Sequence, residues 1–201
     1  MVQRNSLKLG CQCGSVQVEL APEGVAAATR LRCYCTDCQT EARHLGYALP
    51  THQGTDLIHT TPDRVTLLSG QENLAALRLS PKGIFRWYAS CCDTPMFNSL
   101  PKPGKSFLGL VVHAAETQAA DDSVGPVWGH AFTKSAPPGL GAPGKDVNFG
   151  GIGLGVIRRM LGGYLTGRRK INPLVNDAGE WNVTPTILTR EQRRAAASSG
   201  R

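Results

Sequence analysis

The chain has 201 residues, 41% of them hydrophobic, which is enough for one ordinary domain with its own core and an extension. Aromatic residues make up only 6%, whereas 23 glycines and 13 prolines indicate many turns, so the composition favours short strands over a helical bundle. The net charge is +7 and is concentrated in residues 101–201, which carry thirteen Lys and Arg against seven Asp and Glu. Such a basic half can meet an anionic partner, and it can equally serve solubility alone.

The sequence predicts neither a transmembrane segment nor a secretory leader. The most apolar stretch, residues 149–164, is interrupted by Arg158 and Arg159 and is shorter than the roughly 20 apolar residues that span a bilayer. The first eight residues lack the apolar run of a signal peptide. The seven cysteines are an odd number, which fits a closed set of disulfides poorly, and in a reducing compartment clustered cysteines more often serve metal binding or catalysis. We therefore expect a cytoplasmic location.

Residues 8–115 read as a string of short strands. The stretch 15–20 alternates polar and apolar residues, as a strand with one buried face does, and 84–88 is rich in aromatic and β-branched residues. Further strands are predicted at 64–68, 75–80 and 107–113. The first part of the chain is therefore predicted to be a mainly β domain.

Residues 116–201 are predicted to form a linker, a basic amphipathic helix and a polar tail. Between residues 118 and 145 the chain is rich in Ala, Asp, Gly and Pro, which is typical of a loop. A helix is predicted over 154–170, and its apolar stripe is Leu154, Ile157, Leu161 and Tyr164. We interpret this stripe as a cover for the sheet, with the arginines in water. The end, residues 191–201, is expected to be frayed.

The cysteines form three clusters: Cys11-Gln12-Cys13, Cys33-Tyr34-Cys35-Thr36-Asp37-Cys38 and Cys91-Cys92. A Cys-x-x-Cys turn places two sulfurs on one side of a tight loop, as a tetrahedral zinc needs, and a Cys-x-Cys pair on a strand points both side chains to one face. Soft thiolates favour Zn²⁺ among the abundant metals, and an iron–sulfur cluster is the competing interpretation. The sequence therefore predicts one or two Zn²⁺ per chain.

These clusters resemble a known family. Together with Leu9, Gly10 and Gly14 around the first pair and Asp93-Thr94-Pro95-Met96 after Cys92, they are similar to the glutathione-dependent formaldehyde-activating enzymes, which include centromere protein V. The resemblance covers about residues 8–115. It implies stacked, twisted antiparallel sheets of the β-tent type, with Cys11, Cys13 and Cys92 as structural zinc ligands. It also implies that Cys33, Cys35 and Cys38 hold a catalytic zinc.

The third cluster departs from the family pattern. Ala89 stands where the family has a cysteine, and Cys91 directly precedes Cys92 instead. Cys91 can complete the site of Cys11, Cys13 and Cys92 if the backbone turns there, it can close the other site with a fourth sulfur, or it can be a free thiol. Only an open three-sulfur site leaves zinc an exchangeable position. Gln39 and Asp93 also replace an arginine and a glycine of the family.

The resemblance implies a carbon–sulfur lyase that forms or cleaves a thiol–aldehyde adduct such as S-(hydroxymethyl)glutathione. Arg32, Arg43 and Arg86 are candidates for binding the carboxylates of glutathione, and His44 for moving a proton. His52, His59 and His113 are weaker candidates. The alternative is a non-catalytic zinc module whose basic C-terminal helix binds a partner. We do not expect nucleic acid as that partner.

Overall fold

A computed structural model describes residues 5–198. These residues are mainly β, with eleven strands in two sheets and five α-helices. The strands are β1 (Leu7–Gly10), β2 (Gln17–Leu20), β3 (Thr29–Cys33), β4 (Thr55–Thr60), β5 (Val65–Ser69), β6 (Leu74–Arg78), β7 (Phe85–Ala89), β8 (Thr94–Ser99), β9 (Leu108–Val112), β10 (Gly129–Ala131) and β11 (Thr186–Ile187). The helices are α1 (Pro22–Ala27), α2 (Thr36–His44), α3 (Thr117–Ser123), α4 (Phe149–Leu165) and α5 (Arg190–Ser198).

The two sheets differ in size and in the part of the chain that builds them. The small sheet has the order β1-β2-β5 and is antiparallel. The large sheet has the order β10-β3-β4-β9-β8-β7-β6-β11, and its six central strands pair antiparallel. At its two edges, β10 runs parallel to β3 and β11 runs parallel to β6. Strands from before and after residue 115 therefore share one sheet.

The large sheet is buried on both faces. In β4, Ile58 points into a core shared with the small sheet, whereas the adjacent Leu57 packs with Cys33 and Cys38 on the opposite face. Side chains alternate across a strand, so a strand covered on both sides must be apolar at successive positions. The three-cysteine motif thus lies on the face that the small sheet does not cover.

The segment after residue 115 also joins the main core. Leu174 is fully buried there. The ring of Trp181 lies 5.1 Å from that of Phe85 and 5.4 Å from that of Trp87. The predicted division into residues 8–115 and 116–201 therefore does not separate two hydrophobic cores.

The predicted apolar stripe of the long helix does not cover the sheet. Helix α4 exists, but Leu154, Ile157 and Leu161 are each more than half exposed, and Tyr164 is 65% exposed. The interpretation of this stripe as a core face was wrong. No helix among residues 5–198 combines the length and the apolarity needed to cross a membrane.

Helix α4 instead approaches the rest of the protein through glycines. A Cβ on Gly151 would lie 2.4 Å from the ring of Trp128, and one on Gly163 would lie 2.4 Å from the hydroxyl of Ser106. Between them, a Cβ on Gly155 would lie 3.3 Å from a side-chain oxygen of β3. Positions four residues apart share one face of a helix. The glycines allow close packing that leucines would prevent, which is why the leucine stripe faces outward.

The polar end of the chain is a helix rather than a frayed tail, as far as it is described. Helix α5 packs against α2, and Arg193 forms an ion pair with Asp37 at 3.2 Å. Ala196 is buried in this contact region. Residues 199–201, the last part of the predicted tail, lie outside the described residues.

Candidate metal centres

All seven cysteines are free thiols, and they gather into two groups. We call Cys11, Cys13, Cys91 and Cys92 the four-cysteine site, and Cys33, Cys35 and Cys38 the three-cysteine site. Within each group all sulfur atoms lie within 4.8 Å of one another. Of the three arrangements open to Cys91, the structure places it beside Cys11 and Cys13.

The four-cysteine site joins two hairpin-like turns. Cys11 follows β1 in a turn that Gly14 closes, with the Gly14 amide donating to the Cys11 carbonyl at 2.9 Å. The amide of Val16 donates to Cys11 Sγ at 3.3 Å. Cys91 and Cys92 lie in the turn between β7 and β8. The site therefore ties the small sheet to the large one.

The chain does turn at Cys91 and Cys92, as both sulfurs need if they are to reach one ion. The amide of Cys92 donates to the carbonyl of Ala89 at 3.2 Å, and Asp93 has a φ of 51°. This left-handed conformation favours glycine, and among other residues Asp and Asn tolerate it best. Asp93 is thus a residue type that tolerates the conformation this turn requires.

The four-cysteine site is close to the surface. Cys13 and Cys91 are exposed, whereas Cys11 is buried. The Ser15 hydroxyl, 3.3 Å from Cys13 Sγ, lowers the pKa of the Cys13 thiol to about 6. A thiol with a lowered pKa more readily gives the thiolate that binds a metal.

The three-cysteine site is built where a strand passes into a helix. Cys33 ends β3, Cys35 is the N-cap of α2, and Cys38 lies in the first turn of that helix. The Cys38 amide donates to Cys35 Sγ at 3.3 Å. The N-terminal end of a helix carries partial positive charge and free amides, which stabilise thiolates.

The thiols of this site differ in their pKa values. Hydrogen bonds with Cys33 and Cys38 hold the pKa of Cys35 far below the ordinary value of a thiol, and the charge of Arg86 contributes to this lowering. The hydrogen bond with Cys35 and burial raise the pKa of Cys33. Cys35 is also the residue of the three that is partly exposed, whereas Cys33 and Cys38 are buried.

A buried ion pair stands behind Cys38. The guanidinium of Arg86 forms a salt bridge with Glu41, and its Nη1 lies 3.9 Å from Cys38 Sγ and 3.4 Å from Asn98 Oδ1. Arg86 and Glu41 are both nearly fully buried. Burial raises the pKa of the Glu41 carboxyl to about 7, while the charge of Arg86 acts in the opposite direction. Arg86 thus compensates negative charge on both Glu41 and the thiolates.

The spacing of the sulfurs fits a metal ion rather than disulfides. Four sulfurs at 2.3 Å from a tetrahedral zinc lie about 3.8 Å from one another. Four of the S–S distances in the four-cysteine site run from 3.3 to 4.0 Å. In the three-cysteine site, Cys38 Sγ lies 3.2 Å from Cys35 Sγ and 3.8 Å from Cys33 Sγ. A disulfide needs about 2.05 Å. Among the described residues, no fourth Cys, His, Asp or Glu joins the three-cysteine group.

The other predicted site residues have partners or positions that differ from the predicted roles. Arg86 is buried against Glu41 and is not free to bind glutathione carboxylates. Arg32 lines a cavity of about 450 Å³ with His52, and none of the described lining residues of that cavity is a cysteine. Arg43 donates to the side chain of Gln39 at 3.1 Å. None of the candidate histidines, His44, His52, His59 or His113, belongs to a metal-ligating group.

Sequence reasoning missed the residues that support the three-cysteine site. Glu41 lies three residues after Cys38 and therefore shares its side of α2, a spacing from which it could have been found. Asn98 comes from β8 and carries no signal in the sequence. Gln39, seen only as a lost arginine, is buried and donates to the carbonyls of Tyr34 and Ser135 at 2.8 and 3.0 Å.

The chain was compared with known proteins. No curated protein matches it. A crystal structure of a Rhodobacter sphaeroides protein is similar over 63% of this chain and 100% of that chain, with 18% sequence identity and a TM-score of 0.40. Residues 4–183 match the family of unknown function DUF6151, and the chain belongs to that family.

Proposed function

We propose that the protein holds two zinc ions and acts as a carbon–sulfur lyase on the adduct of a thiol with a small aldehyde. The four-cysteine site is the structural centre in this proposal, and the three-cysteine site is the catalytic one. The carrying observation is the difference between them: one group offers four sulfurs and the other offers three. A structural zinc is closed by four protein ligands, whereas a catalytic zinc has three and an exchangeable position.

The similarity to the glutathione-dependent formaldehyde-activating enzymes suggests the substrates. Glutathione or a similar thiol would enter as the sulfur nucleophile, and formaldehyde or another small aldehyde would be the acceptor. Zinc bound at the three-cysteine site would make the incoming thiol available as thiolate near neutral pH. Cys35, the partly exposed residue of the three, marks the side from which a substrate would approach.

The reaction balances without a further reactant. The sulfur of the thiol adds to the carbonyl carbon, the π electrons of the carbonyl move to its oxygen, and that oxygen takes up the proton that the thiol loses. Cleavage is the reverse. In this scheme Arg86 offsets part of the negative charge of the sulfurs, and Glu41 fixes the position of Arg86.

The proposal is tested by counting zinc and following exchange in matched variants. Elemental mass spectrometry of chain purified without chelators or a metal-affinity tag should find two zinc ions per chain. Cys35→Ser should lose one zinc and the acceleration of glutathione–formaldehyde exchange seen by NMR, yet keep its fold. Cys13→Ser, the matched change at the four-cysteine site, should also lose one zinc but should lower thermal stability.

Two results would contradict the lyase. The first is an exchange rate equal to the uncatalysed rate in wild-type protein that holds two zinc ions, and the second is full acceleration by Cys35→Ser. A chain with no bound metal would remove the basis for both centres. The circular dichroism spectrum of each variant serves as the control for folding.

A second candidate function is a non-catalytic zinc module that binds a partner through α4. It is favoured by the exposed apolar stripe of α4, beside which the basic residues Arg158 and Arg168 lie. Exposed apolar patches bordered by charge are typical of binding surfaces. Two zinc ions without any glutathione-dependent chemistry would favour this candidate over the lyase.

A further inference from the structure

A basic cavity lies beside helix α4, and none of its described lining residues is a cysteine. It has a volume of about 380 Å³ and is formed by α4, the end of α1 and the 3-10 turn Pro62–Arg64. Four arginines and a single carboxylate line it: Arg64, Arg158, Arg159, Arg168 and Asp63. The excess of positive charge is therefore built into the wall of the cavity.

The innermost arginines are held by uncharged partners. Arg159 donates from Nη1 to the carbonyl of Ala27 at 3.1 Å and to the hydroxyl of Thr29 at 2.9 Å. Arg64 donates from Nη1 to the carbonyl of Glu23 at 3.0 Å. These contacts fix both guanidinium groups without neutralising them.

Both guanidinium groups also keep unused donors. Within residues 5–198, Arg159 Nη2 and Arg64 Nε are buried and have no hydrogen-bond partner. Burial and the charge of Arg64 lower the pKa of Arg159, which is the response expected of two cations that face each other without an anion. An anion in the cavity would relieve this repulsion.

The acidic compensation in the cavity is weak. Asp63 is the one carboxylate among the lining residues, and its Oδ2 lies 3.8 Å from Arg168 Nε. Arg168 is nearly half exposed, so solvent weakens this pair at the arginine, whereas the Asp63 side chain is only 6% exposed; one carboxylate therefore faces four arginines. A multiply charged anion suits four guanidinium groups better than a single carboxylate does.

Glycines keep the cavity open. Gly155, Gly162 and Gly163 line it from α4. Packing explains Gly163, which touches Ser106, but a Cβ on Gly162 would meet nothing within 4 Å. A glycine inside a helix costs about 1 kcal/mol relative to alanine. Gly162 therefore faces open space in the cavity, which a larger side chain at this position would occupy.

We propose that this arginine-lined cavity binds a phosphate group, carried by a small molecule or by a lipid headgroup. Arginine forks match the oxygens of phosphate in pairs, and the volume lies in the range of small-ligand sites, about 300–1,000 Å³. The site is independent of the two cysteine sites and of the proposed lyase activity.

The first test is titration of the zinc-loaded full chain with inorganic phosphate, with ionic strength kept constant by chloride. Wild-type protein should bind phosphate with saturation. Gly162→Leu, which fills the cavity, should weaken binding at least tenfold. Gly153→Leu is the matched control, because it lies on the same helix, outside the cavity, with nothing within 4 Å of its Cβ. Its affinity should equal that of the wild type.

Charge variants give a second, independent test. Arg64→Gln should weaken phosphate binding at least tenfold, whereas Lys82→Gln, which removes one positive charge from an exposed turn, should not change it. Should Gly162→Leu fail to fold, the pair Arg64→Gln and Lys82→Gln decides the question. Binding that is no stronger than that of chloride, or that is equal in both glycine variants, would overturn the proposal.

A vesicle experiment distinguishes the two sources of phosphate. If the ligand is a lipid headgroup, wild-type protein should co-sediment with vesicles of phosphatidylcholine and phosphatidic acid, and the Arg64→Gln variant should stay in the supernatant. Phosphate titration with saturation but no sedimentation assigns the site to a phosphorylated small molecule. Absence of both phosphate binding and sedimentation contradicts the site itself.

Discussion

Arg86 stands between the carboxyl group of Glu41 and the sulfur of Cys38 in the interior of the protein. Its guanidinium pairs with Glu41 and approaches Cys38 Sγ and Asn98 Oδ1. A charge at this depth is tolerated only because its partners are equally buried. The stability of the fold and the electrostatics of the three-cysteine site therefore depend on the same side chain.

Removing Arg86 alone should be costly. We expect Arg86→Met to lower the free energy of unfolding by about 3–5 kcal/mol, because Glu41 is then left buried without a counter-charge. Arg86→Met combined with Glu41→Leu should recover most of this loss, since no unpaired charge remains. Urea denaturation of the two single variants, the double variant and the wild type measures the coupling. Additive losses in the double variant would show that the pair does not act as a unit.

Asp93 and Gln39, two residues that depart from the family motif, show what a sequence motif can and cannot reveal. The sequence alone indicates that Asp93 is tolerable at a left-handed position, and its φ of 51° is in that region. The role of Gln39 could not be found in this way, because its partner carbonyl on Ser135 is 96 residues distant in sequence. Local conformation is encoded locally, whereas a hydrogen bond across the fold is not.

At the scale of elements, periodicity predicts that α4 is a helix, but packing decides which of its faces is buried. The pattern correctly indicated a helix, but both the leucine stripe and the glycine face repeat at helical spacing. Periodicity alone does not say which of two faces is buried. The close approach of Trp128 and Ser106 to the glycines decides it.

The two faces of α4 should respond differently to substitution. Leu154→Gln and Ile157→Gln should each change the free energy of unfolding by less than about 0.5 kcal/mol, because these side chains are more than half exposed. Ile152→Ala, which truncates a buried side chain of the same helix, should cost about 2–4 kcal/mol. Chemical denaturation at neutral pH compares the three. If either Gln variant lost more than about 2 kcal/mol of the free energy of unfolding, the apolar stripe would belong to the core after all.

Longer strands with a regular pattern were easier to predict than short strands. The stretches predicted at 64–68, 75–80, 84–88 and 107–113 overlap β5, β6, β7 and β9. β1, β3, β4 and β8 were not predicted. β10 and β11 were also missed, because strands of three and two residues carry no period. Helix α2 was hidden by the cysteine motif at its start. The large sheet of the structure therefore extends further than the sequence indicates.

At the scale of the whole molecule, the four-cysteine site could be found from the sequence only as an alternative. Its two halves are 78 residues apart and belong to different sheets. The spacing within each half is visible in the sequence, but the turn that aims Cys91 towards Cys13 is a property of the β7–β8 connection. This explains why the sequence left three positions open for Cys91.

Acid should destabilise the molecule through two buried imidazoles. Burial, with the charge of Arg159 acting on His59, lowers the pKa of His59 and His113 to about 4. In the unfolded chain each titrates near 6.5, so the unfolded state takes up protons that the folded state refuses. Stability is complete above pH 6.5 and is lost as the pH falls towards 4. The expected loss from pH 7 to pH 5 is about 1–2 kcal/mol for each histidine.

A comparison of slopes isolates one of these residues. Denaturation at pH 7 and pH 5 should show a smaller difference for His59→Gln than for the wild type, while His44→Gln, on α2, should keep the wild-type difference. Loss of metal in acid affects all three proteins alike and cancels in the comparison. An unchanged slope in His59→Gln would contradict the assignment.

The parallel strands at the two edges of the large sheet have a consequence for how the protein is made. On the ribosome, residues 7–112 emerge first and carry both cysteine groups and nine of the strands of the described chain. Until β10 and β11 follow, β3 and β6 present unpaired edges, on which a neighbouring nascent chain can add a strand. A ribosome stalled near residue 115 would therefore release a chain that already carries every cysteine of both sites and is prone to aggregate through its sheet edges.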